Sequence, residues 1–387
     1  MSPGVSELLL LGPGPSNPYP EATAGLARPV LGYLDPEFLA IYGEVGERLR
    51  AVFQTANRVT LPVSGTGSAG MECCLVNLLE PGDTAIVGVN GYFGERLCEV
   101  ARRIGAEVVR VEGEWGGPLD PEHLLEAQRT AAGGRARLLA VVHAETSTGV
   151  RNEVEPLKAL QETDTLFVLD TVTSLGGIPV EIDAWGVDAA YSATQKCLGA
   201  VSGLAPVTFS ERALARVAAR PAERPPGERG VSPRQGRFEP LPIASFYLDV
   251  GLIDAYVYEP HRYHHTASSV LVCALNAGLG RLLDEGLPSV WERHRRVGEL
   301  LQGALPALGF ELVAPDGNRL PQLTAARLPA VVDDGKTRRR LRDEFGIEIG
   351  GGLGPFAGQA WRIGLMGHGA RERSVAALLG ALRALLG

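Results

Sequence analysis

Short runs that are apolar throughout alternate along this chain with stretches whose apolar positions recur every three or four residues. The first pattern belongs to buried strands and the second to helices with one covered face. Strand-like runs occupy residues 59–63, 84–89, 107–111, 138–143, 166–170 and 187–191, and residues 69–79, 95–104, 121–131 and 155–161 read as helices between them. Upstream, Asp35-Pro36-Glu37 offers an N-cap and a proline at the first helical position, ahead of Phe38, Ile41, Tyr42, Val45 and Leu49 at helical spacing. Such alternation predicts an α/β fold with a mainly parallel sheet between helices.

The pattern changes at three places. Gly12-Pro13-Gly14-Pro15-Ser16-Asn17-Pro18 can neither continue a helix nor pair within a sheet, so an irregular arm is expected there. Residues 218–242 intersperse prolines with arginines, an exposed excursion or lid. After an apolar helix over 268–283, the chain gives a long helix from Leu287 through Leu305, strands near 310–313 and 323–328, and a basic helix near 337–345. These describe a small α+β unit. Gly350-Gly351-Gly352-Leu353-Gly354 then reads as a mobile loop.

Composition narrows the function. The 387 residues carry a net charge of -8 and no basic tail, which argues against nucleic acid or an anionic membrane surface as the main partner. Arg338-Arg339-Arg340 follows Asp333-Asp334 and reads as a solvated helix face. Five cysteines without C-x-x-C spacing suggest neither a disulfide framework nor a zinc site. The adjacent His264 and His265 point in different directions with no third ligand nearby, so no metal is expected. The N-terminal apolar run is short and lacks a basic flank, which predicts a cytoplasmic protein.

Candidate chemistry collects at predicted strand ends, where reactive groups gather in parallel sheets. Lys158, Lys196 and Lys336 are the only lysines, all other basic side chains being arginine. Lys196 follows an apolar strand and precedes a Gly/Ser-rich turn, where it is either an amine able to form a Schiff base or a surface lysine in a turn. Ser64-Gly65-Thr66-Gly67-Ser68 links a strand to a helix start. It is either a phosphate cradle at the positive end of a helix or a capped tight turn, and it fits neither nucleotide-binding glycine motif. Asp170 ends an apolar strand, so it either meets a cation or donors or serves as a turn-forming cap. Arg362 lies within an apolar strand and needs an anionic partner, internal or from a ligand.

Taken in order, these pieces resemble the class V aminotransferases of the fold-type I pyridoxal-phosphate enzymes, and within them the alanine–glyoxylate and serine–pyruvate group. The likeness spans nearly the whole chain. It is carried by Gly12-Pro13-Gly14-Pro15-Ser16-Asn17, Ser64-Gly65-Thr66-Gly67, Leu78-Leu79-Glu80-Pro81-Gly82-Asp83 and Glu145-Thr146-Ser147-Thr148-Gly149. Asp170 with Ser174-Leu175-Gly176-Gly177, Tyr191-Ser192 with Gln195-Lys196, Tyr263-His264-His265-Thr266 and Gly351-Gly352-Leu353-Gly354-Pro355 complete it.

The resemblance implies an N-terminal arm (1–20), a large cofactor-binding domain (21–285) with a mainly parallel seven-stranded sheet, and a small C-terminal domain (286–387). It implies pyridoxal 5'-phosphate held as a Schiff base by Lys196, which then moves the substrate proton, while Asp170 pairs with the pyridinium nitrogen. Thr66, Gly67, Ser68 and Gln195 would surround the phosphate. Phe93, where the group commonly has tryptophan, and Val172 would cover the two ring faces, with Thr146 near the ring hydroxyl. Tyr263 and Thr266 would reach the phosphate in a neighbouring subunit, making the protein a homodimer. Arg362 would bind the substrate α-carboxylate. The excursion at 218–242 is longer than in animal members.

The activity so implied is transamination between a small amino acid, alanine or serine, and a small 2-oxo acid, glyoxylate or pyruvate. Transamination of aminoethylphosphonate or ureidoglycine would differ in a few pocket residues. A cysteine desulfurase needs a mobile cysteine in the C-terminal part, and none follows Cys273. A non-catalytic pyridoxal-phosphate-binding regulator is the reading outside enzymology; it would carry an added DNA-binding module, for which the family-like chain leaves no room.

Overall fold

The computed structural model describes residues 7–220 and 243–386. Most of the proline-rich excursion at 218–242 therefore lies outside the described residues. Seven strands form the central sheet: β1 (Val59–Ser64), β2 (Thr84–Val89), β3 (Glu107–Glu112), β4 (Leu138–Val142), β5 (Leu166–Asp170), β6 (Ala189–Tyr191) and β7 (Leu204–Phe209). Their order is β1-β7-β6-β5-β4-β2-β3. Only β7 runs against its neighbours, so the carboxyl ends of the other six share one edge.

Strand β7 does not stand out in the sequence, because Pro206 argues against a strand between two others. Its register places Pro206 opposite Pro62 of β1, so two residues without an N–H share one rung of the ladder. Helices α1 (Pro36–Phe53), α2 (Gly67–Leu78) and α3 (Tyr92–Ile104) follow the expected pattern. The Asp35 carboxylate accepts from the Glu37 N–H and starts α1 as its sequence predicts. Helix α3 begins three residues earlier than expected, so Tyr92 and Phe93 belong to its first turn rather than to a loop. The Glu145 carboxylate makes this possible by accepting from the Phe93 N–H at 3.2 Å. Residues Glu155–Glu162 wind as a 3-10 helix, and a short helix at Pro20–Gly25 was not predicted.

A second, antiparallel sheet joins Glu311–Leu312, Leu323–Arg327, Ala360–Gly364 and Gly350–Gly351 in that order. Its core includes Val297, Leu301, Leu341, Trp361, Ile363 and Leu378. The glycine run expected as a mobile loop thus opens as an edge strand, with Gly350 opposite Arg362. A Cβ on Gly350 would come within 2.3 Å of Pro13, so packing against the N-terminal arm explains a glycine there. That arm ties the two sheets together. Leu9–Leu10 pairs in parallel with Ile347–Glu348, Leu11 enters the second core, and Ser16 and Tyr19 bond to the turn containing Lys196. Among the described residues no helix is long and apolar enough to cross a membrane, and no group of His, Cys, Asp and Glu side chains is placed to hold a metal ion.

Candidate active site

At the carboxyl edge of the large sheet, a cavity of about 210 Å³ is lined by Thr66, Gly67, Ser68, Phe93, Asp170, Val172, Gln195 and Lys196. Eight predicted residues from four separate stretches of sequence therefore meet. Met71, Arg96 and Tyr191 complete the lining.

Lys196 is 8% exposed and lies in the turn that follows β6. Its amine donates to the Pro13 carbonyl and forms no ion pair among the described residues. Burial lowers the pKa of this amine to about 8, the buried Cys197 opposing that shift and Arg362 adding to it. The arm presses closely here. Gly14 has φ +112° and a Cβ there would lie 2.7 Å from the lysine nitrogen, so both backbone and space require glycine. From the other side of the turn, the Ser16 hydroxyl donates to the Lys196 carbonyl at 3.0 Å.

Asp170, at the end of β5, is 3% exposed. One carboxylate oxygen accepts the Val172 N–H at 2.8 Å and the other the Tyr191 hydroxyl at 2.7 Å. Desolvation raises its pKa to about 6, with those donors pulling the other way. Both oxygens keep a lone pair for a further donor. Tyr191 is the residue whose role the sequence did not reveal: its ring is core-like, and only the register of β6 beside β5 brings its hydroxyl to the carboxylate.

Thr66 is the N-cap of α2 yet makes no side-chain capping bond. Ala69 and Gly70 donate to the Thr66 carbonyl, which leaves the Thr66 hydroxyl and the very start of the helix, both lining the cavity, available to an anion. A Cβ on Gly67 would lie 3.0 Å from Val172 and 3.2 Å from Ala193, so the loop floor is as close to the strand ends as glycine allows. The Gln195 side-chain oxygen is buried without a partner among the described residues. Arg96, one turn along α3, donates to the Ser68 hydroxyl at 3.1 Å and lies 4.9 Å from the Phe93 ring centroid. The sequence offered no signal for it, because the helical spacing of three from Phe93 depends on the early start of α3.

Thr146 does not line the cavity; its hydroxyl pairs with that of Thr173 at 2.5 Å. Beside it, Glu145 is fully buried and raised to about pKa 7 by desolvation, although Ser147 and Phe93 donate to it. Arg362, in Ala360–Gly364, bonds through Nε to the Gly351 carbonyl at 2.7 Å and forms no ion pair among the described residues. Burial lowers it to about pKa 10, opposed by the charge of Glu145. A half-buried guanidinium held at one nitrogen and otherwise unmatched fits an incoming carboxylate. Tyr263 and Thr266 are exposed and do not line the cavity.

Residues and cofactor can be matched on these observations. A buried amine, a buried carboxylate with spare acceptor capacity, an uncapped helix start and an unpartnered amide suit a molecule with an aldehyde, a ring nitrogen and a phosphate. Solved structures show the same architecture. An alanine–glyoxylate aminotransferase from Nostoc matches with a TM-score of 0.92 and 42% identity, over 100% of this chain and 97% of that one. The ureidoglycine–glyoxylate aminotransferase from Bacillus subtilis matches with a TM-score of 0.92 and 36% identity, over 100% and 94%. The fold is that of the fold-type I aminotransferases.

In sequence, the (S)-ureidoglycine–glyoxylate transaminase of Bacillus subtilis is 38% identical across 97% of this chain and 90% of its own. An alanine–glyoxylate aminotransferase of Drosophila melanogaster is 36% identical across 98% and 92%. The model of the class-V aminotransferases matches residues 21–226. The chain belongs to that family, an enzyme family whose members use pyridoxal phosphate.

Proposed function

We propose that this protein transfers the amino group of a small amino acid, alanine or serine, to glyoxylate or pyruvate, using pyridoxal 5'-phosphate. The observation that carries this is Lys196: a buried amine of lowered pKa, facing a buried carboxylate in a cavity bounded by a helix start. When bound, the cofactor supplies an aldehyde that condenses with amines and a ring that accepts the electron pair left at Cα. The chain does the rest. Lys196 would hold the cofactor through its amine and would serve as the base and acid for the substrate Cα proton. Asp170, oriented by Val172 and Tyr191, keeps a proton on the ring nitrogen. Thr66, Gly67, Ser68 and Gln195 would hold the phosphate, Phe93 and Val172 would cover the ring, and Thr146, whose hydroxyl here pairs with Thr173, would serve the ring hydroxyl. Arg362 fixes the substrate carboxylate so that one Cα bond is presented to the lysine.

The reading includes a homodimer in which Tyr263 and Thr266 bind the phosphate in the neighbouring protomer. Exposed aromatic surface supports it: Tyr33 packs on Tyr263 with centroids 4.9 Å apart, and Phe246 and Tyr247 are exposed as well. It also includes the division at 285/286, supported by two large cores that fall mostly on either side of it, with Val290 packed in the first and a small cluster of Ala144, Ile178, Cys197, Leu320, Leu323 and Met366 bridging them. A cytoplasmic location is part of it too, supported by five buried free cysteines. Ureidoglycine is the second donor to consider, because a relative named for it is 38% identical over nearly the whole chain. Half-reactions with alanine, serine and ureidoglycine, each followed by glyoxylate or pyruvate, test the assignment. Rapid bleaching and recovery of the cofactor absorption with alanine or serine is expected; recovery with neither oxo acid would reject it.

A further inference from the structure

The paired histidines have no part in the chemistry above, yet both are buried, at 6% and 8% exposure. His265 Nε2 lies 3.0 Å from the Ser64 hydroxyl, its Nδ1 lies 2.9 Å from His264 Nδ1, and His264 Nε2 lies 2.9 Å from the Phe246 carbonyl. A carbonyl can only accept, so His264 carries its proton on Nε2 and accepts at Nδ1. His265 then donates from Nδ1 and accepts at Nε2, and the Ser64 hydroxyl donates. One end fixes the direction of the whole chain.

Rings enclose it. Tyr247 and Tyr256 pack on His265 with centroids 5.2 and 5.4 Å away, and Phe246 packs on His264 at 4.9 Å. Asp249 is the charged group that bears on His264. Burial lowers both imidazoles, His265 to about 4, so both are neutral near pH 7, as the directed chain requires.

We propose that Ser64, His265 and His264 form a one-way hydrogen-bond relay that positions the Tyr263–Thr266 segment against the phosphate-type loop. Ser64 is the last residue of β1 and stands two positions before Thr66. Tyr263 and Thr266 flank the two imidazoles in sequence. The relay therefore sets the segment offered to the neighbouring protomer's phosphate by reference to the phosphate loop of its own protomer. These are positioning residues, and the inference rests on the proposed reading that Tyr263 and Thr266 serve the neighbouring cofactor.

The test uses the holoenzyme. With 15N-labelled histidine, the ring-nitrogen shifts should place the proton of His265 on Nδ1 and that of His264 on Nε2. After dilution into a scavenger of free cofactor, His265→Phe and Ser64→Ala should each release pyridoxal phosphate about tenfold faster than wild type. The double variant should release it no faster than His265→Phe alone, since both changes break one chain. Ser64→Ala, at a partly exposed strand end, keeps the test available if His265→Phe does not fold. Reversed tautomers, wild-type release rates or fully additive effects would overturn the relay. A wild-type protein that takes up no pyridoxal phosphate, or a Tyr263→Ala variant that releases it at the wild-type rate, would instead overturn the underlying reading.

Discussion

An amine ordinarily loses its proton near pH 10.5, and only the neutral form attacks a carbonyl. Burial brings Lys196 to about 8, so the reactive fraction grows as pH rises through that value and is nearly complete a unit above it. The rate at which cofactor-free protein captures pyridoxal phosphate should accordingly rise between pH 7 and 9 and then level off, as stopped-flow absorption would record. A rate still climbing steeply beyond pH 9.5 would mean an unshifted lysine. Asp170→Asn would remove the charge proposed to hold a proton on the ring nitrogen, and a fall in kcat of about 10²- to 10³-fold is expected in steady-state assays. Arg362→Ala should act differently. Losing charge-assisted bonds to the carboxylate should lower kcat/KM by about 10²-fold or more, with cofactor affinity, read by absorption titration, nearly unchanged.

The elements explain why these side chains meet. Ser64, Asp170 and Tyr191 end strands β1, β5 and β6, and one antiparallel strand, β7, leaves those three ends on the same edge. Helices start where the strands stop, so backbone donors arrive beside the lysine and the carboxylate. The N-terminal arm closes the arrangement from outside, and Gly14→Ala should therefore disturb it: the side chain would enter space held by Lys196 at an unfavourable φ. A loss of about 1–3 kcal/mol in stability and slower cofactor capture are expected, measured by denaturant unfolding and absorption.

Much of this was legible because apolar runs mark buried parallel strands, and strand ends then locate Lys196, Asp170 and the Ser64–Ser68 loop. Other features depend on contacts between distant segments, which local patterns do not encode. The Tyr191 bond to Asp170 needs the β5–β6 register, the early start of α3 needs Glu145, and the strand at Gly350–Gly351 needs its partner around Arg362.

At the scale of the whole molecule, two protomers should share each site. Mixing Lys196→Ala protomers with Tyr263→Ala/Thr266→Ala protomers should restore activity, because one site of each mixed dimer combines an intact lysine with an intact neighbouring segment. Size-exclusion chromatography with assays before and after mixing would check this; no gain despite exchange would place Tyr263 and Thr266 outside the site. The proposed chemistry turns on one nitrogen atom, and a chain with lysine at only 158, 196 and 336 makes it easy to find. The holoenzyme reduced with borohydride and mapped by mass spectrometry should carry the phosphopyridoxyl group on the peptide containing Lys196. Its appearance on Lys158 or Lys336, or on no peptide of a cofactor-saturated protein, would contradict the central claim.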